Sequence, residues 1–170
     1  MKYPIGIQDF EKIIEDGYVY VDKTELVYKL ANEGHIYFLS RPRRFGKSLL
    51  ISTLKYYFQG RKDLFKGLAI EKLEKEWAEY PVFHIDFNGG NYDKDGELDK
   101  RIQGYVDTWE KQWGNDPINQ EIGTRLAYIF KQAHVKSGRR AVVLIDEYDK
   151  PLLDVIDTGY TGMLNGKETK

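Results

Sequence analysis

The chain has 170 residues, 41% of them hydrophobic, which is the length of one domain with enough apolar content for a sizeable core. Its 26 basic and 27 acidic residues leave a net charge of −1, so no global field points to nucleic acid or to an anionic membrane surface. Cysteine is absent, which excludes a disulfide framework and a thiolate zinc site and fits a reducing compartment. The opening MKYPIGIQDF lacks an apolar signal core, and no apolar run approaches the roughly 20 residues that span a bilayer, so a cytoplasmic chain without a membrane partner is expected. The histidines, His35, His84 and His134, are scattered rather than spaced as metal ligands.

A turn at Pro4-Ile5-Gly6 leads into a short helical pattern with Phe10, Ile13 and Ile14 on one side, ended by Gly17. Tyr18 to Val21 is a short β-rich run. Asp22-Lys23-Thr24-Glu25 then has the form of a capping box, Asp22 capping and Glu25 reaching back, for a helix to about Asn32 with Leu26, Val27 and Leu30 inward. Asp22 to Thr24 could also help to seat an adenine, although the cap accounts better for the pattern.

Ile36 to Leu39 is short, aromatic and branched, as a buried strand would be. RPRRFGKS, residues 41–48, follows, and the spacing of Leu49, Leu50, Leu54, Tyr57 and Phe58 suits one face of an amphipathic helix. A strand, a tight loop and a helix opening at Gly46-Lys47-Ser48 is the context of a phosphate-binding loop, where backbone N–H groups and the helix N-terminus hold the anion. Lys47 would reach the terminal phosphates and the Ser48 hydroxyl would ligate magnesium. The expected cradle is Arg43, Arg44, Phe45, Gly46, Lys47, Ser48 and Leu49, with Arg41 standing where the usual motif has its first glycine.

Beyond a break at Gln59 to Asp63, Lys72 to Tyr80 reads as a short charged helix anchored by Leu73 and Trp77, and Pro81 to Phe87 as a strand. His84 suits packing beside the sheet. Asp86, at the strand's end, is either a water-ordering residue or a turn former. After the turn-rich 88–93, helices are expected over Glu97 to Trp113 and over Pro117 to Ser137, the second with Ile118, Ile122, Leu126, Ile129, Phe130 and Ala133 inward. Ala141 to Ile145 is an uninterrupted apolar run suited to a parallel strand buried on both faces, and it ends in Asp146-Glu147. That is the Walker B arrangement: Asp146 would hold magnesium and Glu147 would orient or deprotonate the attacking water. Pro151 can occupy a first helical turn ahead of Leu152, Leu153 and Ile156, and residues 157–170 read as a loop or disordered tail.

The segments PIGIQDFEKIIEDGYVYVDKT, RPRRFGKSLL and DEYDKPLL together resemble the bacterial AAA-ATPase-like proteins, over Tyr3 to Leu153. The arginine-rich loop is itself typical of them. The resemblance implies an α/β, three-layer P-loop NTPase fold with a mainly parallel sheet, ATP and Mg2+ as cofactors, and often a C-terminal nuclease-like domain of the PD-(D/E)XK type. It also implies an additional strand between the two Walker strands, bearing a polar sensor. No apolar strand follows Asp146, so the chain is expected to be the N-terminal part of a longer protein, with its sheet incomplete. Alternatively, the two Walker strands are neighbours.

Two functions compete on these residues. One is Mg-dependent ATP binding and hydrolysis, driving conformational change in an attached or partner domain. The other is a regulatory or scaffold module that binds nucleotide without turning it over. No nuclease carboxylate cluster is recognisable, so direct nucleic-acid processing has no support within the chain, and its oligomeric state stays open.

Overall fold

The computed structural model describes residues 1–40, 42, 44–157, 162–164 and 167–169, with side chains to Ile156. The chain forms two compact units, residues 1–84 with 139–144 and residues 85–138 with 145–170. The fold is α/β. β1 (Val82–Asp86) and β2 (Val142–Asp146) form a parallel pair, the only strands joined in this sheet among the described residues.

In the first unit, α1 (Phe10–Glu15) is capped by Asp9, whose Oδ1 accepts the Lys12 N–H at 3.0 Å. The other carboxylate oxygen accepts from Ser52 Oγ and Tyr56 OH, and Ser52 Oγ accepts the Phe10 N–H, fastening α1 to α3 (Lys47–Phe58). α2 (Thr24–Glu33) is tied to α4 (Ile70–Leu73) in a similar way. Asp22 Oδ2 accepts the Ala69 N–H at 2.7 Å, and Thr24 Oγ1 accepts the Ile70 N–H at 3.1 Å. Around these ties lies an aromatic core: Phe10 and Phe65 have ring centroids 4.8 Å apart, Phe65 and Trp77 5.2 Å. The 3-10 turn Lys62–Phe65 delivers Leu64 and Phe65 into it.

In the second unit, α5 (Glu97–Trp113) packs on α6 (Ile122–Ser137), burying Val106, Ile129 and Ala133. The Arg125 guanidinium lies between Glu110 at 2.6 Å and Asp107 at 2.9 Å. Gly138, at φ +67, ends α6, a conformation that favours glycine. After β2 comes α7 (Lys150–Asp157), with Pro151 in its first turn. Within the stretch read as a loop or disordered tail, β3 (Gly162–Leu164) pairs antiparallel with β4 (Lys167–Thr169).

Several sequence expectations need correction. Residues 36–39 form no strand: Ile36 is 94% and Phe38 72% exposed. Apolar character marks a segment that can be buried, but a strand also needs a neighbour for its backbone groups, and no described strand pairs with this one. The Tyr18 to Val21 run is irregular for the same reason. β2 is not buried on both faces, since Val143 and Ile145 are more than 40% exposed. At α2 no capping box forms. Asp22 serves Thr24 and Ala69, Lys23 stands at the cap position, Glu25 pairs with Lys29, and Leu26 faces outward.

The helix expected over 72–80 stops at Leu73, because Glu74 folds back so that its Oε1 accepts the N–H groups of Lys75, Glu76 and Trp77. α6 begins at Ile122 rather than near Pro117. Asp116 takes up the Ile118 and Asn119 N–H groups in a turn of its own, leaving Ile118 exposed.

Candidate functional site

The candidate phosphate-loop residues belong to the first unit. α3 starts at Lys47, directly after Gly46 at φ +73, and Arg44 two residues earlier is also left-handed at φ +67. A non-glycine residue rarely adopts that conformation. Left-handed residues in a tight turn aim neighbouring backbone N–H groups into one concavity, and the N-terminus of a twelve-residue helix adds its positive end. Arg44, Phe45 and Gly46 are exposed, whereas Lys47, Ser48 and Leu49 are half-buried. The Lys47 ammonium pairs with no carboxylate among the described residues, so its charge is available to an anion. Arg41 and Arg43 lie outside the described residues.

The acidic residues belong to the second unit. Asp146, at the end of β2, is 7% exposed. Its Oδ1 accepts the Glu147 N–H at 3.0 Å, and its backbone carbonyl accepts the Phe87 N–H at 3.2 Å. The Glu147 carbonyl in turn accepts the Lys150 N–H that opens α7. Glu147 itself is left-handed at φ +51, a strained setting for a residue with a side chain.

Asp86 behaves as the turn former of the two sequence alternatives: its Oδ1 accepts the Asn88 N–H at 2.7 Å. A clamp surrounds it that the sequence reading missed. Arg101 donates to the Asp86 carbonyl at 2.7 Å and to the Asn88 carbonyl at 3.3 Å, while Tyr105 OH bonds both the N–H and the C=O of Asp86 at 3.0 Å. The available signal was the i,i+4 placement of Arg101 and Tyr105 on one face of α5. Past β1, Tyr92 OH donates to the Phe87 carbonyl, and the Tyr92 N–H donates to Asp154 of α7, which also pairs with Lys150. Gly90 lies so close to the Tyr92 ring that an added Cβ would come within 2.2 Å of it, so a side chain there would have to displace the ring.

Residues 4–166 match the family described as "Predicted AAA-ATPase". The chain belongs to that family. A protein of Azotobacter chroococcum mcd 1, described as an uncharacterized protein in the vnfD 5' region, is 44% identical over 155 residues. The alignment covers 90% of this chain and 30% of that protein, so the chain spans about a third of its relative's length. No solved structure matches.

Membership in the AAA-ATPase family suggests the use of nucleotide and metal, and the residues present suit both. Among the described residues no three histidine, cysteine or acidic side chains gather as a metal cluster. Magnesium arriving with phosphates needs only one or two protein carboxylates. Asp146 and the buried Asp149 Oδ1, which has no hydrogen-bond partner, offer oxygen ligands of the right kind. No described helix is long and apolar enough to cross a membrane.

Proposed function

We propose that this chain is the nucleotide-binding part of a magnesium-dependent ATPase whose turnover drives conformational change in an attached or partner domain. The observation that carries this reading is the pair of left-handed residues, Arg44 and Gly46, set immediately before the Lys47 that opens α3, in a member of an ATPase family. The backbone N–H groups of Arg44 to Leu49, together with Arg43, form the cradle. Lys47 neutralises the terminal phosphates and Ser48 is a magnesium ligand. Asp146 is the carboxylate for magnesium, and Glu147 polarises the attacking water. The strained backbone of Glu147 supports a catalytic role, because such strain persists where the surrounding structure enforces it and it clusters at functional sites. The three-layer P-loop fold and the additional sensor-bearing strand belong to the same proposal, as does a nuclease-like domain in a longer protein.

One observation favours the alternative, a module that binds nucleotide without hydrolysing it: Asp86, the remaining candidate for ordering water, has its Oδ1 committed to the Asn88 N–H. The deciding experiment is Mg-ATP binding and hydrolysis by the protein beside its Lys47→Ala and Glu147→Gln variants. On the ATPase reading, Lys47→Ala loses binding by at least about tenfold, and Glu147→Gln keeps binding but loses turnover by about a hundredfold or more. Binding without turnover in the unaltered protein selects the alternative. A protein that binds no nucleotide overturns both.

A further inference from the structure

The first unit contains a cleft of about 340 Å³ that the nucleotide reading does not use. Its walls include Tyr28 of α2, Tyr57 and Phe58 at the C-terminal end of α3, and Glu74, Trp77 and Tyr80 from the connection that leads to β1. Lys47, where the candidate phosphate loop meets α3, is roughly 15 Å away along that helix at the usual rise per residue. The cleft is therefore a separate place on the same unit.

Its chemistry is specific in sign. Glu74 is half-buried, and its carboxylate accepts Tyr57 OH at 2.5 Å and the N–H groups of Lys75 and Glu76 at 2.8 Å. Burial alone would raise its pKa, but these hydrogen bonds outweigh it and hold the group below the ordinary glutamate value. No lysine or arginine among the described residues lies within ion-pair distance of Glu74. The exposed Glu76 adds a second negative charge at the cleft. The cations near it are the exposed ammonium of Lys75 and the Arg139 guanidinium, which is engaged with the Tyr80 ring, so the carboxylate without a cationic partner is Glu74. An anion would meet repulsion here, whereas a cation would meet carboxylates and the negative faces of aromatic rings. The rings already attract such a group: the Arg139 guanidinium lies 5.5 Å from the centroid of the Tyr80 ring.

The wall is also under tension at Trp77. Trp77 has φ +47, unusual for a bulky residue, and its indole Nε1 is buried with no hydrogen-bond partner. Gly60 leaves no slack behind it, since an added Cβ there would meet the Trp77 carbonyl at 2.9 Å.

We propose that the cleft between α2, the end of α3 and residues 74–80 is a binding site for an organic cation, an alkylguanidinium or methylated ammonium group, held by the Glu74 carboxylate and the surrounding rings. The cation can be an arginine or lysine side chain of a partner polypeptide or a free small molecule, and the two sources share this chemistry.

The test titrates the protein calorimetrically with N-acetyl-arginine amide, tetramethylammonium and, as the neutral control, N-acetyl-glutamine amide. Saturable one-to-one binding of the cations is expected, with the glutamine compound at least about tenfold weaker. Glu74→Gln should weaken cation binding by about tenfold or more. Because Glu74 also shapes the turn that follows it, Lys75→Glu provides a second arm at an exposed position, and it should tighten cation binding several-fold while leaving thermal stability unchanged. A capped peptide with arginine at its centre that binds about tenfold more tightly than the arginine amide identifies a polypeptide source, and equal affinities identify a small molecule. Equal binding of the neutral control, or affinities that move with neither Glu74→Gln nor Lys75→Glu in folded protein, overturns the proposal. None of these readouts depends on nucleotide, so failure of the ATPase reading leaves the result interpretable.

Discussion

The two groups of candidate functional residues, one in each unit, are built on opposite principles. The candidate phosphate loop has Arg44, Phe45 and Gly46 exposed at the head of α3, and α3 is secured from behind by the aromatic core of its unit, where Phe10 and Phe65 are fully buried. The acidic strand end is a buried carboxylate in a unit fastened largely by polar clamps: Arg101 and Tyr105 on Asp86, Asp154 on Tyr92, and Arg125 on Glu110 and Asp107. A loop that recognises an anion through N–H groups needs little from its own side chains, only a rigid helix behind it. A carboxylate that must stay charged and aimed needs directional partners. Damage to the two units should therefore differ in kind.

The largest expected effect is in the aromatic core. Phe65→Ala removes a fully buried ring between Phe10 and Trp77 and should cost about 3–5 kcal/mol, measured by denaturant unfolding. Leu152→Ser on α7, 67% exposed, should change stability by no more than about 0.5 kcal/mol. A loss at Phe65 no greater than at Leu152 would break the contrast between core and surface. Arg125→Ala comes next, at about 2–3 kcal/mol, because it leaves the largely buried Glu110 carboxylate unpaired.

The same clamp should make the second unit sensitive to acid. The Arg125 guanidinium holds Glu110 below its ordinary value of 4.5, and together with Gln103 it holds Asp107 below 3.8. Carboxylates whose folded pKa values are depressed stabilise the fold fully above their unfolded values, and that contribution is lost as pH falls through the folded values. Protection of the α5 and α6 amides relative to their intrinsic exchange rates should therefore fall as pH drops below about 4.5, and Arg125→Ala should flatten that dependence. An unchanged pH profile in the variant would remove the clamp's assigned role.

What the sequence made legible follows the same divide. α3, α5 and β1 were readable because local periodicity, a glycine stop or a strand-end polar residue marks them; Gly46-Lys47-Ser48 falls at the start of α3 and Asp146-Glu147 at the end of β2, but the strand expected ahead of the loop does not form. The failures share a cause, in that a side chain or a partner outside the local window decided the outcome. Glu74 captures three successive N–H groups and stops a helix that composition favours. Asp116 does the same ahead of α6. Residues 36–39 have strand composition and no strand to pair with. The i,i+4 spacing puts Arg101 and Tyr105 on one face of α5, but it does not name their partner, Asp86 at the strand end. β3 and β4 flank Asn165-Gly166 in the sequence, a dipeptide that favours two-residue hairpin loops, but three residues on each side give too short an alternation to read.

The smallest expected effect bears most directly on function. Glu147 is left-handed at φ +51, a conformation that costs a residue with a Cβ about 1 kcal/mol relative to glycine. Its backbone is kept there by the Asp146 carboxylate on one side and the Lys150 N–H on the other. Glu147→Gly should relieve that cost and so raise stability by about 1 kcal/mol, partly offset by the greater freedom of glycine in the unfolded chain, while abolishing turnover. Glu147→Ala keeps the strain, loses the carboxylate and should be less stable than Glu147→Gly. Thermal melts of the two variants with a turnover assay check the point. If Glu147→Ala is as stable as Glu147→Gly, the left-handed backbone carries no strain and Glu147 is only one more turn residue after a strand. If the order holds and both lack turnover, the acidic end gives up stability to present its carboxylate, as the candidate phosphate loop does at left-handed Arg44, whereas glycine meets the same demand without that cost at Gly46.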